Sequence, residues 1–165
     1  MSTSSPQDMP KGLERGYFFD SSAPPVRRAV AFVDGQNLFH SAHAAFGSAW
    51  PDYDPDLLAR AVCRARGWAP KQTRFYTGIP AASEDPHWWR FWNRKMAVMV
   101  RCGICVFARK LHYRNESVTL PDGSNRSVRI GEEKGVDVRI AIDVIRMAHR
   151  NDYDVALIFS QACPP

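Results

Sequence analysis

Hydrophobic positions along the chain alternate between two spacings, which predict strands and helices in turn. Short apolar runs rich in β-branched and aromatic residues predict buried strands, at 28–33, 73–77 and 154–160. Apolar residues at helical spacing predict the segments between them, at 37–46, 55–66, 84–101 and 132–149. The last of these is apolar almost all round, which predicts a largely buried helix. Alternating strands and helices predict an α/β fold, a three-layer sandwich around a mainly parallel sheet.

Extended segments and turn residues also predict a hairpin within this alternation. Residues 104–114 alternate like a strand, Pro-Asp-Gly at 121–123 is a turn signal, and 127–130 is extended again. Before the first strand, residues 1–27 are rich in Ser, Pro and Gly and show no apolar period. We therefore expect a disordered leader at 1–27 and a folded domain over 28–165.

The composition is that of a soluble globular protein with a basic balance. The 165 residues contain 22 Lys and Arg against 17 Asp and Glu, a net charge of +5. This balance favours an anionic partner such as nucleic acid. No apolar run approaches the length of a membrane span, and the N-terminus has no signal region. Four cysteines do not form a disulfide scaffold, and we expect a reduced, cytoplasmic setting with no membrane partner.

Acidic residues stand at positions where this fold class binds ligands. Asp34 directly follows the first predicted strand, and Asn37 comes three residues later. A crevice at the carboxyl ends of parallel strands is a usual ligand site, although a turn Asp with an Asn helix cap explains the pair equally. Asp137 and Asp143 lie in the apolar helix, about 120° apart around its axis. Either is also compatible with a structural carboxylate, and the two cannot easily bind one ion together unless the helix is distorted.

Aromatic and basic residues are mixed in the helix predicted at 84–101. Arg90, Arg94 and Lys95 stand among Trp, Phe and His side chains. Bases that bind phosphate beside aromatics that stack on nucleobases suit single-stranded RNA. An amphipathic helix with core Trp and solvated Arg is the alternative, and we favour it for most of the Trp residues.

Three motifs resemble the NYN domain family, in the order in which that family has them. They are Val-Asp-Gly-Gln-Asn-Leu at 33–38, Glu-Lys-Gly-Val-Asp-Val at 133–138 with Asp143, and Asp-Val-Ala-Leu-Ile-Phe-Ser at 154–160. NYN domains belong to the PIN-like nuclease superfamily, and this chain is most similar to the LabA-like bacterial branch. The resemblance implies a Rossmann-like PIN fold and a metal-dependent ribonuclease that acts on RNA. The mixed aromatic and basic helix indicates that this RNA is single-stranded.

The same resemblance implies roles for particular side chains. Asp34 and Asp137 would bind Mg²⁺ or Mn²⁺, with Asp143 as a further metal ligand and Asn37 as a catalytic residue. Lys134 and Ser160 would line the site and contact the RNA. Further candidates for phosphate contact, from the mixed helix and not from the resemblance, are Arg90, Arg94 and Lys95. Both ions prefer oxygen ligands, and they activate water and neutralise charge at a phosphate under attack.

The C-terminal end departs from the family pattern. After the last strand the family continues Ser-Gly-Asp-x-Asp, followed by further helices and a strand, whereas this chain reads Ser-Gln-Ala-Cys-Pro-Pro at 160–165. We therefore expect an incomplete domain, truncated or frameshifted after the strand at 154–160. The missing acids leave a second function open, a catalytically impaired RNA-binding or regulatory module that keeps the fold.

Overall fold

Six strands and four helices follow one another along residues 25–47 and 49–160, the part of the chain that the computed structural model describes. The strands are β1 (Arg28–Asp34), β2 (Ala69–Ile79), β3 (Cys105–Lys110), β4 (His112–Thr119), β5 (Asn125–Glu132) and β6 (Val155–Phe159). The helices are α1 (Gly35–Phe46), α2 (Pro55–Arg66), α3 (Pro86–Arg101) and α4 (Val136–His149). Most of the predicted leader and the residues after Ser160 lie outside the described part.

The central sheet has four parallel strands in the order β3-β2-β1-β6. Strands β4 and β5 form a separate antiparallel hairpin. The predicted α/β fold with a mainly parallel sheet and an inserted hairpin is therefore confirmed. In the register of the sheet, Asp34 lies opposite Tyr76 of β2, and Val33 lies opposite Phe159 of β6. Strands β1, β2 and β6 consequently end near one another, at the carboxyl edge of the sheet.

Helices cover both faces of this sheet, because β1 is apolar on both of its sides. Val33 faces one core cluster, which includes Trp92 of α3 and Ala59 of α2. Phe32 faces the other cluster, which includes Ile140 of α4. The alternation of side chains along a strand thus separates α2 and α3 from α4, with the sheet between them.

Local sequence fixes the helix ends that lead into the sheet. Asp54 accepts hydrogen bonds from the backbone N–H groups of Asp56 and Leu57, and Pro55 occupies the first helical position of α2. Asp85 caps α3 in the same way, through the N–H of Trp88. These caps satisfy backbone donors that a helix start leaves unpaired.

The prediction of one continuous strand over 104–114 is wrong. Strand β3 pairs with β2 and ends at Lys110, and β4 begins at His112 and pairs with β5. Between them the N–H of Leu111 donates to the carbonyl of Ile79, at 2.9 Å. The alternating pattern continues through this point, because both halves are strands, and it contains no signal for the change of sheet.

Helix α4 is less buried than its composition predicted. Its apolar side chains divide between a face packed on the sheet and an exposed strip, which the edge strand β6 extends with Ile158. The exposed members are Val138, Ile142, Ile145 and Ile158. A helix on one side of a sheet buries one face only, and the described residues place nothing over the other. No helix in the described ranges combines the length and apolar character needed to cross a bilayer.

Candidate functional site

Asp34 ends β1 and caps α1, so it stands where the sheet's carboxyl edge meets a helix N-terminus. Its Oδ1 accepts a hydrogen bond from the N–H of Asn37 at 3.0 Å, and its Oδ2 accepts one from Asn37 Nδ2 at 2.9 Å. The intervening Gly35 is needed for close approach, because a Cβ there would lie 2.4 Å from Phe75 Cζ in the core. Asp34 is only 4% exposed, yet its carboxylate lies at the crevice end of the strand.

Asn37 connects this carboxylate to the neighbouring strand. Its Nδ2 also donates to Ser160 Oγ, at 3.1 Å, because Ser160 directly follows β6 at the same edge of the sheet. Ser160 and Asp137, the second residue of α4, line one surface hollow. The structure therefore brings together four residues that the sequence had singled out: Asp34, Asn37, Asp137 and Ser160.

Glu133 joins this group, although the sequence analysis assigned it no role. The N–H of Gly78, near the end of β2, donates to Glu133 Oε2. Gly78 permits this contact, because a Cβ there would lie 2.7 Å from that oxygen and 2.5 Å from Leu111 Cδ2. In the sequence, Glu133 is the first residue of the Glu-Lys-Gly-Val-Asp-Val motif and directly follows β5. Assigning it to the site from the sequence would have required knowing that the hairpin folds back onto β2.

The side chains of Asp34, Glu133 and Asp137 form a group that we call the acidic cluster, and the charge of Asp137 acts on the other two. Burial raises the pKa of Asp34, the N–H groups of Asn37 and Gln36 oppose the shift, and the charge of Asp137 adds to it. Burial also raises the pKa of Glu133 to about 7, with Asp34 and Asp137 contributing and the Gly78 N–H opposing. Like charges held close together in a crevice attract a cation.

Tyr53 supports the backbone beside this cluster. Its hydroxyl donates to the carbonyl of Gly35 at 2.8 Å, and burial, together with the charge of Asp34, raises its pKa. Lys95 donates to the carbonyl of Tyr53 at 3.1 Å and lies 5.3 Å from the centre of its ring. Burial lowers the pKa of Lys95, opposed by Asp52 and Asp54. Lys95 therefore buttresses the Tyr53 segment, and it also lines a surface hollow together with Arg90 and Arg94.

Asp143 lies apart from the acidic cluster, inside a cage of basic side chains. It is fully buried, and burial alone would raise its pKa, but hydrogen bonds from Arg139, Tyr76 and Arg74 outweigh this and lower it. Its Oδ2 accepts from Arg74 at 3.1 Å and from Tyr76 at 3.0 Å, and its Oδ1 accepts from Arg146 at 2.8 Å. Both oxygens are engaged by protein donors, which assigns Asp143 to the fold and not to the expected ion site.

The remaining basic residues expected at the site lie in two places. Lys134 is exposed, and its Nζ is 3.4 Å from Glu132 Oε2. Arg90 and Arg94 are exposed on α3, where they line a hollow of about 460 Å³ with Trp50 and Phe91. Of the Trp residues in α3, Trp92 belongs to the core, Trp88 packs against it and Trp89 is exposed. The structure thus places Arg90 and Arg94 beside aromatic rings on an open surface.

The donor set of the acidic cluster suits a hard divalent cation. Its groups are all carboxylates, and among the described residues no Lys or Arg forms an ion pair with any of them. No three His, Cys, Asp or Glu side chains in the described ranges converge closely enough to enclose an ion alone. Mg²⁺ commonly takes one or two carboxylates and completes its shell with water and substrate phosphates, so the residues present fit this ion and Mn²⁺.

Comparison with protein families gives one match. The sequence pattern of the NYN domain family matches residues 28–163, which includes the sheet, the hairpin and the acidic cluster. Comparison with curated proteins and with solved structures gives no match. The matched range begins at the first residue of β1 and covers more than half of the chain.

Proposed function

The chain belongs to the NYN domain family, and from this premise we propose that it is a metal-dependent endonuclease that hydrolyses phosphodiester bonds of single-stranded RNA. NYN domains are nuclease-like and bind RNA as a family, which supplies the class of reaction and partner. The observation that carries the proposal is the acidic cluster at the carboxyl edge of the sheet. Burial and the charge of Asp137 raise the pKa of Asp34 and that of Glu133, and among the described residues no Lys or Arg forms an ion pair with the cluster.

Asp34 and Asp137 would hold the ion, with Glu133 as the neighbouring carboxylate. A bound Mg²⁺ or Mn²⁺ would neutralise charge at the scissile phosphate and supply activated water. Asn37 fixes the orientation of Asp34 through hydrogen bonds to both of its carboxylate oxygens. Ser160 accepts a hydrogen bond from the same amide, and its hydroxyl would contact a phosphate oxygen. The exposed Arg90 and Arg94 would position the strand through its backbone.

Cleavage of a labelled single-stranded RNA tests this function. We expect the 165-residue protein to cut the RNA with Mn²⁺ and to be inactive with EDTA. Asp34→Asn and Asp137→Asn should each lower the rate by at least about 100-fold, as losses of charge at a catalytic centre commonly do. Asp122→Asn, in the exposed hairpin turn, is the matched control and should cleave like the parent. Undiminished cleavage by Asp34→Asn would refute the assigned site.

A thermal-unfolding series separates ion binding from catalysis. Mn²⁺ should raise the melting temperature of the parent protein and of Asp122→Asn, because a ligand that binds only the folded state stabilises it. Mn²⁺ should raise the melting temperature of Asp34→Asn only slightly. An equal Mn²⁺ shift in Asp34→Asn and the parent would show that the ion binds elsewhere.

The second candidate function is a non-catalytic RNA-binding module. It is favoured by the absence, within the described ranges, of three converging ligands that would enclose an ion, beside the open basic and aromatic surface of α3. RNA binding that weakens steeply with salt, with no cleavage under Mg²⁺ or Mn²⁺, would select this function over the first.

A further inference from the structure

A cavity of about 430 Å³ lies next to the acidic cluster, between the β4–β5 hairpin and the helices α1 and α3. Its walls include aromatic rings from three elements, Phe39 from α1, Trp88 from α3 and Tyr113 from β4. Gln36 lines it as well, and within the described residues its side-chain amide has no hydrogen-bond partner. Cavities of this size and character are typical of small-ligand sites.

The cavity borders the proposed catalytic residues through two positions. Gly78 lines it and also donates its N–H to Glu133 of the acidic cluster. Gln36 directly precedes Asn37, whose side chain holds Asp34. The cavity therefore adjoins the acidic cluster.

An ion pair between two residues that line the cavity joins the hairpin to the segment before α3. Arg129 of β5 donates to Glu84 through Nε and also contacts it through Nη2, both at 2.9 Å. The guanidinium lies 5.4 Å from the centre of the Tyr113 ring, which fixes that ring in the wall. The Tyr113 ring is thus held in the wall before any ligand binds, which lowers the ordering cost of binding.

The charges around the cavity favour a neutral ligand over a phosphate. Glu84 and Asp85 both line it, and the charge of Arg129 is already taken up by Glu84. A phosphate in the cavity would therefore be repelled by these carboxylates, and the one arginine among the described residues that lines the cavity is already paired. A flat, uncharged ring that stacks on Phe39 or Tyr113 and hydrogen-bonds to the amide of Gln36 matches these walls. In RNA, that group is the nucleobase.

We propose that this cavity binds one base of single-stranded RNA beside the scissile phosphate and thereby selects the cleavage position. The inference rests on the proposed function for its substrate class. Phe39 supplies a stacking face, and Gln36 reads the edge of the base. The protein then cuts preferentially next to the bases that the cavity accepts, whereas the backbone contacts elsewhere carry no sequence preference.

Two substitutions of Phe39 test the cavity with little risk to the fold. Its only ring contacts among the described residues are with His40 and His43 of its own helix, and it belongs to neither core cluster. Phe39→Leu keeps apolar bulk but removes the stacking face, and Phe39→Ala removes both. Phe46→Ala is the matched control, because Phe46 ends the same helix and is 85% exposed.

Binding is measured by fluorescence anisotropy in EDTA. The ligands are a labelled RNA and a set of variants of this RNA, each with one abasic position. In the parent protein, one abasic position should weaken binding about 5- to 100-fold, the range expected for loss of one stacked base. Phe39→Ala and Phe39→Leu should weaken binding of the intact RNA by a similar factor and remove the effect of that abasic position. Phe46→Ala should bind like the parent.

Cleavage mapping with Mn²⁺ then separates this inference from the proposed function. If the RNA is cut but Phe39→Leu cuts at the same positions with the same preference, and no abasic position matters, the base cavity is refuted and the nuclease stands. If no variant cleaves with any divalent ion but the abasic and Phe39 effects on binding appear, the nuclease is refuted and the base cavity stands.

Discussion

The side-chain amide of Asn37 bridges Asp34 and Ser160, with Nδ2 at 2.9 Å from the carboxylate Oδ2 and 3.1 Å from the hydroxyl Oγ. One amide thereby joins the ends of β1 and β6, which are neighbours in the sheet. The sequence offered Asn37 as a helix cap, but the residue that caps α1 is Asp34, which accepts the N–H of Asn37. Asp34 caps α1 and in the same geometry presents its carboxylate to the crevice.

Replacing Asn37 by Ala should impair catalysis more than it impairs folding. The variant keeps the backbone cap of α1, because the Asn37 N–H still donates to Asp34 Oδ1, and the lost side-chain hydrogen bonds cost about 1 kcal/mol. Without the amide, Asp34 is free to rotate away from its productive orientation, so we expect RNA cleavage to fall about 10- to 100-fold.

Asn93→Ala is the control for this variant, because Asn93 on α3 also donates through Nδ2, to the carbonyl of Trp89 at 2.7 Å. It should lose a similar small amount of stability in urea unfolding and retain full cleavage. Equal cleavage by the Asn37 and Asn93 variants would show that the bridge has no catalytic role.

The stability of the metal-free protein should depend on the protonation of Glu133. Its pKa is raised from 4.5 to about 7 in the folded state, so the folded protein binds this proton more tightly than the unfolded chain does. The contribution is fully present below the unfolded pKa and is lost as the pH rises from about 4.5 through 7. Glu133→Gln, which stays neutral, should flatten this part of the profile.

Urea unfolding in EDTA at several pH values between 4.5 and 8 measures this effect. Glu116→Gln, on the exposed face of the hairpin, serves as the control and should follow the parent. A Glu133→Gln profile that runs parallel to the parent through this range would contradict the assigned environment of Glu133. Mn²⁺ should reverse the trend in the parent, because a cation favours the ionised carboxylates.

The sequence predicted those parts of the site that depend on neighbouring residues. Asp34 and Asn37 are three residues apart, so a strand followed by a helix is sufficient to place both at the carboxyl edge of the sheet. Ser160 follows another parallel strand, and its approach to the same edge follows from the sheet alone. The family motifs then agreed with the local pattern, and the parallel sheet is confirmed.

Residues whose role depends on distant contacts could not be assigned from the sequence. Glu133 meets Gly78 across 55 positions of sequence, and the contact exists only because β4 and β5 return to the end of β2. From the sequence, Asp143 is only a charged residue in an apolar helix. Its hydrogen bond from Arg74, 69 positions away, is visible only in the structure. Periodicity records which face of an element is apolar and does not record which side chain of a distant strand meets it.

Asp143→Asn should destabilise the protein strongly and leave the ion site intact. The substitution removes a buried negative charge that Arg74, Arg139 and Arg146 share, and it replaces one acceptor oxygen by an NH2 donor that faces them. Breaking a buried ion pair in this way costs about 3–5 kcal/mol. Because the pKa of Asp143 is lowered, its contribution in the parent should be present above the unfolded pKa near 3.9 and be lost as the pH falls below it.

Denaturant unfolding at pH 7, with Asp137→Asn for comparison, measures this cost. Asp137 is exposed on the same helix, so its variant should unfold within about 0.5 kcal/mol of the parent. The melting-temperature shift with Mn²⁺ should show the reverse ranking, with Asp143→Asn responding and Asp137→Asn not. A stable Asp143→Asn protein that no longer responds to Mn²⁺ would restore Asp143 to the ion site.

Arg90 and Arg94 should contribute to RNA binding through phosphate, and Lys95 should not. The two arginines lie one helical turn apart on the exposed face of α3, beside Trp50 and Phe91. Each phosphate neutralised on single-stranded RNA adds about 0.7 to the slope of log affinity against log salt. Arg90→Ala and Arg94→Ala should therefore each lower affinity for all RNA sequences alike and reduce that slope by about 0.7.

Two controls on the same helix make this prediction specific. Arg101→Ala removes an exposed charge at the far end of α3 and should change the slope little. Lys95→Met should lower stability by about 1 kcal/mol, because it removes the hydrogen bond to the Tyr53 carbonyl, and should keep the slope of the parent. Anisotropy titrations in EDTA between about 50 and 300 mM salt, a range over which such contacts weaken strongly, provide the slopes. If Lys95→Met lowers the slope as much as Arg90→Ala does, Lys95 contacts phosphate, and the buttressing role inferred from its contacts with Tyr53 is wrong.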